Sequence, residues 1–366
     1  MTSSDVIVIG GGIAGISAGA ELAADMSVTV LEGERQIGYH STGRSAAIFI
    51  RNYGNATLRA LNAVSAGLME RPEGVSDNSL LSPRGEMMLA TEDELATLED
   101  YCAEAQGLER LSAAQAAELV PILRPELIAA AVIEWDAQDI DVDRMLNGYA
   151  RLLRRRGGRI ETGAQVTEIR RDGGQWVVTA GTEEYRAPLI VNAAGAWAAQ
   201  VATLAGVRSI PMHPLRRSAA ILPAPEAHDV SRWPLFVSAS EQWYAKPEAG
   251  KLMVSPADED PVEPHDAWAD DMVLAEGLYR FEQAVTMPVT RVEHTWAGLR
   301  SFTPDRTPVV GRDPDQPGFF WLAGQGGYGV QTAPVLSRVT AGLVTDTAPP
   351  VSETVIGALS PMRFHS

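Results

Sequence analysis

Three kinds of side chain in this sequence, arginine, tyrosine and glutamate, suit the binding of a small charged molecule. Arg300 lies in Thr295-Trp296-Ala297-Gly298-Leu299-Arg300-Ser301-Phe302-Thr303-Pro304-Asp305, a strand-like run with aromatic residues on both sides of the arginine. A guanidinium there matches a carboxylate through two parallel hydrogen bonds. The competing reading is a structural ion pair with Asp305. Arg216 and Arg217 are adjacent, so in a strand they face opposite ways and only one of them can share a site with Arg300. Tyr53 and Tyr244 each place a hydroxyl on an apolar body, which serves a ligand or core packing equally well. Glu86 follows Gly85 and precedes Met87-Met88-Leu89; taken alone it reads as a solvent-exposed hairpin carboxylate.

Other chemistries find no support. The six histidines have no metal-ligand spacing, no Gly-x-Ser-x-Gly or Walker-type loop occurs, and the one cysteine, Cys102, is surrounded by Glu99, Asp100 and Glu104. Neighbouring acids raise a thiol pKa, so Cys102 reads as structural.

The strongest local signal is N-terminal. Val6-Ile7-Val8-Ile9 reads as a buried strand, Gly10-Gly11-Gly12-Ile13-Ala14-Gly15 fits G-x-G-x-x-G, residues 13–24 read as a helix, and residues 27–31 form a second strand ending at Glu32. In a dinucleotide fold Gly10 permits the turn, Gly12 admits a pyrophosphate, and Gly15 lets the helix approach the sheet. The helix N-terminus offers N–H groups to phosphate, and Glu32, 22 residues after Gly10, can accept from ribose hydroxyls.

The motif alone leaves FAD and NAD open. Further along, residues 166–170 and 176–179 read as a hairpin closed by Asp172-Gly173-Gly174, and residues 187–193 as a strand running into Ala194-Gly195-Ala196-Trp197. Residues 318–323 form an aromatic strand that enters Gly324-Gln325-Gly326-Gly327-Tyr328-Gly329 and a helix to residue 343. This second strand–glycine loop–helix unit argues against an NAD-dependent reductase.

Together these segments resemble the D-amino-acid oxidase superfamily of FAD-dependent oxidoreductases over nearly the whole chain. Tyr39-His40-Ser41-Thr42-Gly43-Arg44-Ser45-Ala46-Ala47 resembles its flavin-contacting loop, residues 295–305 its carboxylate strand, and residues 325–332 its C-terminal flavin loop. Pro83-Arg84-Gly85-Glu86-Met87, Arg216-Arg217-Ser218-Ala219 and Trp243-Tyr244-Ala245-Lys246-Pro247 are similar to the D-arginine dehydrogenases within it.

The resemblance implies an α/β (α+β overall) fold, in which a Rossmann-like FAD domain of the glutathione-reductase type interleaves with a substrate domain on a mixed or antiparallel sheet. The FAD domain would use residues 1–50, 141–205 and 300–366, and the substrate domain residues 51–140 and 206–299. It implies non-covalent FAD, since no cysteine in the C-terminal third can link a flavin. The implied cofactor residues are Gly10, Gly12, Ala14, Gly15, Glu32, Gly33, Ser41, Thr42, Gly43, Arg44, Ser45, Ala46, Ala47, Ile48, Val166, Gly195, Gly326, Gly327, Tyr328, Gly329, Val330 and Gln331. The implied substrate residues are Tyr53, Glu86, Arg217, Tyr244, Arg300 and Gly327, with Arg217 and Arg300 on the carboxylate and Glu86 on a cationic far end.

The implied reaction is oxidative deamination of a D-amino acid by hydride transfer to flavin, giving an imino acid that hydrolyses to a 2-oxo acid and ammonia. One departure is Ile48, where the resembled enzymes carry histidine. It leaves room for a glycine- or sarcosine-type amine oxidase or a 2-hydroxy-acid dehydrogenase; a non-catalytic flavin-binding protein is the reading from another class.

Composition sets the outer bounds. The 366 residues carry a formal charge of −17, which disfavours nucleic-acid binding. No apolar run reaches the roughly 20 residues of a membrane span, and no signal peptide is read at the start, so a cytoplasmic location, peripheral to the membrane at most, is expected. The acidic Pro- and Asp-containing run 255–261 reads as a solvated loop tip. A monomer or small homo-oligomer is expected, with the electron acceptor (quinone, other carrier or oxygen) left open.

Overall fold

The computed structural model describes residues 2–365. Its centre is a six-stranded sheet in the order Arg159–Glu161, Val28–Leu31, Val6–Ile9, Leu189–Asn192, Phe319–Ala323 and Val309–Arg312. All neighbours are parallel except the last pair, which is antiparallel. Every residue of Val6–Ile9 is buried, as a strand covered on both faces requires.

One face carries the helices Ile13–Leu22, Val142–Arg155 and Gly329–Thr345, through Val8, Ile16, Val30, Leu153 and Val339. The other is covered by a smaller sheet, Thr2–Ser3, Glu183–Ala187, Gln175–Ala180 and Val166–Asp172, through Trp176, Val178, Ile190 and Trp321. Chain punctuation follows local chemistry. Asp141 accepts the Arg144 N–H to begin Val142–Arg155, with Arg154 and Arg155 in the last turn and Gly157 left-handed beyond it.

The glycine-loop helix lies on the sheet because Gly15 has no side chain. A Cβ there would sit 1.9 Å from the Gly10 carbonyl oxygen. The helix cap is not local: Gly12 offers no side chain, and the Ile13 N–H is taken by Thr42 Oγ1 at 3.0 Å.

A second, larger sheet includes Glu86–Ala90, Ala130–Glu134, His213–Leu222, Leu235–Ser238, Tyr244–Glu248, Lys251–Ser255 and His294–Phe302. Most of its pairs are antiparallel, with Leu235–Ser238 against Glu86–Ala90 the parallel exception. Helix Asp271–Ala284 packs on one face through Leu274, Leu278 and Phe281.

The run 255–261 is a solvated tip only at Asp260 and Pro261. Asp258 is buried, and its carboxylate accepts from the Ser218 backbone and hydroxyl and pairs with Arg216. Asp258 and Glu259 turn toward the adjacent Arg216 and Arg217, which need partners that water no longer supplies, while Asp260 stays exposed. Cys102 is half-buried, and its thiol is pushed up first by burial, with Glu99 adding to it.

Candidate active site

Two cavities meet at four residues: Ala46, Arg217, Tyr244 and Arg300 line both. The first, about 570 Å³, runs from the N-terminal glycine loop to the start of the C-terminal helix. Of the residues that the resemblance implies for the cofactor, Gly10, Gly12, Ala14, Glu32, Gly33, Ser41, Thr42, Arg44, Ser45, Ala46, Val166, Gly195, Gly326, Gly327, Gly329 and Val330 line it.

Others on the expected cofactor list lie elsewhere. Gly15, Gly43, Ala47 and Gln331 do not line this cavity, and Ile48 and Tyr328 line the second one instead. Gly15 serves the helix–sheet contact, Gly43 closes a turn onto the Gly38 carbonyl, and Ala47 holds a left-handed backbone at φ 58°. Arg44 is committed to protein: it donates to the carbonyls of Ala267 and Ala297 and pairs with Asp266. Both oxygens of Glu32 already accept backbone N–H groups, Gly11 at 2.6 Å and Glu34 at 2.7 Å. Each oxygen keeps a second acceptor site for a ligand hydroxyl.

The cavity suits FAD on polar grounds as well as shape. Three buried polar atoms that line its far end have no hydrogen-bond partner: Arg300 Nη1, Ser301 Oγ and Gln325 Nε2. Buried polar groups are rarely left unpaired, so a polar ligand belongs beside them. At the other end, the first-turn N–H groups of Ala14 and Gly15 have no acceptor within their helix.

The second cavity, about 350 Å³, is lined by Tyr53, Glu86, Arg217, Tyr244 and Arg300 together with Ile48, Met88, Leu235 and Val237. Arg217 and Arg300 share a face of two antiparallel strands: Arg217 lies opposite Gly298, and Arg300 opposite Leu215. Their states differ. Arg217 donates to Glu259 at 3.0 Å and to the Asp258 carbonyl at 2.9 Å. Arg300 makes no hydrogen bond or ion pair with any described residue, and Asp305, its expected rival partner, binds Arg363. Gly327 presses against Arg300; a Cβ there would lie 3.0 Å from the guanidinium. Arg216 turns away to Asp258 and Asp260.

Glu86 is buried, against the exposed-hairpin reading, because the strand Glu86–Ala90 lies inside the large sheet. Its carboxyl is raised well above the usual range, first by burial and then by Glu134, its cross-strand partner, and Glu241. Burial also pushes the Tyr53 hydroxyl up to about 12, against the pull of Arg300.

Several residues of this region carry no sequence signal. Tyr101, on helix Leu95–Glu104, lines the second cavity; the only hint is its spacing from the buried Leu98. Asn62 is fully buried. Its amide donates to the carbonyls of Ile50, Arg51 and Tyr53, and its oxygen accepts from Gln331 at 2.8 Å. It thereby ties the Tyr53 segment to the helix that follows the C-terminal glycine loop. Asn62→Ala is expected to cost about 1–3 kcal/mol through the lost donor to the Arg51 and Tyr53 carbonyls and the lost acceptor for Gln331. A lowered urea midpoint and reduced kcat/KM, with flavin still bound, check this.

The comparisons agree with this architecture. The profile named "DAO: FAD dependent oxidoreductase" matches residues 5–343. The chain belongs to the DAO family of FAD-dependent oxidoreductases. The oxidoreductase is similar to glycine oxidase of Geobacillus kaustophilus, 25% identical over 359 residues that span 93% of this chain and 92% of that protein. The crystal structure of that glycine oxidase superposes with TM-score 0.85 at 22% identity, covering 98% of each chain. L-proline dehydrogenase from P. horikoshii gives TM-score 0.86 at 23% identity, covering 100% of this chain and 98% of that one. FAD is therefore this enzyme's cofactor, and among the described residues no helix is long and apolar enough to cross a membrane.

Proposed function

We propose that this enzyme is a D-amino-acid dehydrogenase with a preference for cationic side chains, as its resemblance to the D-arginine dehydrogenases implies. One observation carries the proposal: a half-buried Arg300, whose Nη1 is buried and has no partner, stands where the two cavities meet, with a buried carboxyl, Glu86, also lining the second. An amino acid with its carboxylate on Arg300 satisfies the orphaned Nη1.

The residue roles are those the resemblance implies, and the geometry supports them. Arg300 holds the carboxylate bidentately, and Arg217, already partly neutralised by Glu259, assists. Tyr53 and Tyr244 close over the same end, exclude water and offer hydroxyls to the carboxylate or amine. A Tyr53 hydroxyl held near 12 stays protonated at neutral pH and acts as a donor. Glu86 receives a positively charged side-chain end, and Ile48, Met88, Leu235 and Val237 pack its methylenes. FAD, when bound, supplies the hydride acceptor for the α-hydrogen. The imino acid then hydrolyses to a 2-oxo acid and ammonia.

Residues 1–50, 141–205 and 300–366 are proposed as the FAD domain and the rest as the substrate domain, supported by the strands each contributes to the two larger sheets, with His294–Phe302 of the larger sheet crossing the boundary at 300. The electron acceptor (quinone, other carrier or oxygen), a cytoplasmic setting and a monomeric or small homo-oligomeric state complete the proposal. A second reading, an amine oxidase for small or apolar substrates, is favoured by Ile48 and by the names of the relatives.

An anaerobic visible spectrum before and after D-arginine separates the readings. The flavin bands are expected to bleach within seconds of mixing. Bands that stay oxidised with D-arginine yet bleach with glycine, sarcosine or an apolar D-amino acid overturn the cationic preference.

A further inference from the structure

Outside both cavities, the loop after the edge strand Val309–Arg312 meets the C-terminal turn Pro361–Phe364. We propose that Asp313, Asp315 and His365 form a binding site for a divalent cation of the zinc class, which pins that turn to the edge of the six-stranded sheet.

The imidazole orientation is the starting point. His365 Nδ1 lies 3.1 Å from the Pro361 carbonyl oxygen, which can only accept, so Nδ1 carries the proton. In a neutral ring Nε2 then presents a lone pair. That atom is buried in a side chain only 7% exposed and has no hydrogen-bond partner. It faces Asp313 Oδ2 at 3.8 Å and Asp315 Oδ2 at 3.9 Å. Three acceptors thus converge with no donor among them. A protonated ring would not repair this well, since both separations exceed the roughly 2.7–3.2 Å of a hydrogen bond.

The separations suit a shared cation instead. Ligand atoms each about 2.0–2.2 Å from one metal lie about 3–4 Å apart. The three ligand atoms fall within 4.8 Å of one another, and among the described residues no other set of three such groups does so. Asp315, with a side chain 71% exposed, is free to close the remaining gap.

The supporting shell has the form such sites use. Asp313 is 1% exposed; its Oδ1 accepts the N–H groups of Asp315 and Gln316, and its Oδ2 accepts the Trp321 indole N–H at 3.0 Å. His365 is oriented by a backbone carbonyl through its other nitrogen. An imidazole with two carboxylates selects zinc, cobalt or nickel over magnesium and calcium, which prefer all-oxygen ligands.

The same turn carries Arg363, which binds Asp305 and the carbonyls of Thr307 and Pro308, just beyond the strand that bears Arg300. Cation binding is thus expected to raise stability without entering the chemistry.

The test is calorimetric titration of tag-free, FAD-loaded enzyme with zinc chloride, alongside His365→Ala and Asp315→Asn. The expected result is one zinc per chain, with affinity reduced at least about 100-fold in H365A and about tenfold in D315N. Zinc should raise the melting temperature of the native enzyme and not of H365A, while magnesium chloride gives no such site. Retained flavin absorbance shows that each variant is folded; D315N, on an exposed side chain, carries the test if H365A fails to fold. The proposal is overturned if the native enzyme shows no saturable zinc site up to about 100 µM. An affinity that none of the foldable variants changes overturns it equally.

Discussion

Replacing Arg300 with methionine is expected to lower kcat/KM for the best amino-acid substrate by about 10²–10³-fold, chiefly through KM, while the yellow cofactor stays bound. Two charge-assisted hydrogen bonds to a carboxylate are at stake, each worth roughly 1.5–3 kcal/mol. No protein group shares them, because Arg300 has no partner among the described residues. Methionine keeps an unbranched apolar stem and removes the fork that packs beside Gly327. Steady-state kinetics with flavin content measured by absorbance give the answer. Unchanged KM would remove Arg300 from the carboxylate site and move the role to Arg217. Loss of flavin would instead show that the guanidinium serves the cofactor.

Glu86→Gln tests the far end of the same cavity. Activity with D-arginine or D-lysine is expected to fall about 10²-fold, the cost of leaving a buried cationic group without its counter-charge. Activity with D-methionine should change by no more than about threefold. The carboxyl is raised in the folded enzyme, so binding a cation requires releasing a proton when the free carboxyl is protonated. KM for D-arginine should therefore fall as pH rises through that raised pKa, and the dependence should vanish in E86Q.

Stability moves the opposite way. Between the unfolded value of about 4.3 and the raised folded one, the folded state binds more protons, so the native enzyme loses stability as pH rises. E86Q should escape that loss, by about 1.4 kcal/mol for each unit by which folding raises the carboxyl. Melting temperatures of the two proteins across pH 5 to 9 measure it. Equal losses with D-arginine and D-methionine would sink the specificity role.

The sequence by itself determined whatever depends on near neighbours. The β-branched run at Val6, the glycines at 10, 12 and 15, and Glu32 at the second strand's end specify a dinucleotide fold within 32 residues. Strand alternation stated that Arg216 and Arg217 must face apart, and so they do. What only the tertiary structure decided depends on groups brought from far away. Thr42 caps a helix 29 residues earlier, Asn62 joins Gln331 across 269 residues, and Glu86 meets Glu134 through sheet pairing. Arg44 and Arg300 are both arginines in motif segments, yet one is paired and the other free. Composition and periodicity encode burial on one element's face. They do not encode the partner that reaches that face from another element, and the partner sets a side chain's charge, its hydrogen bonds and its availability to a ligand.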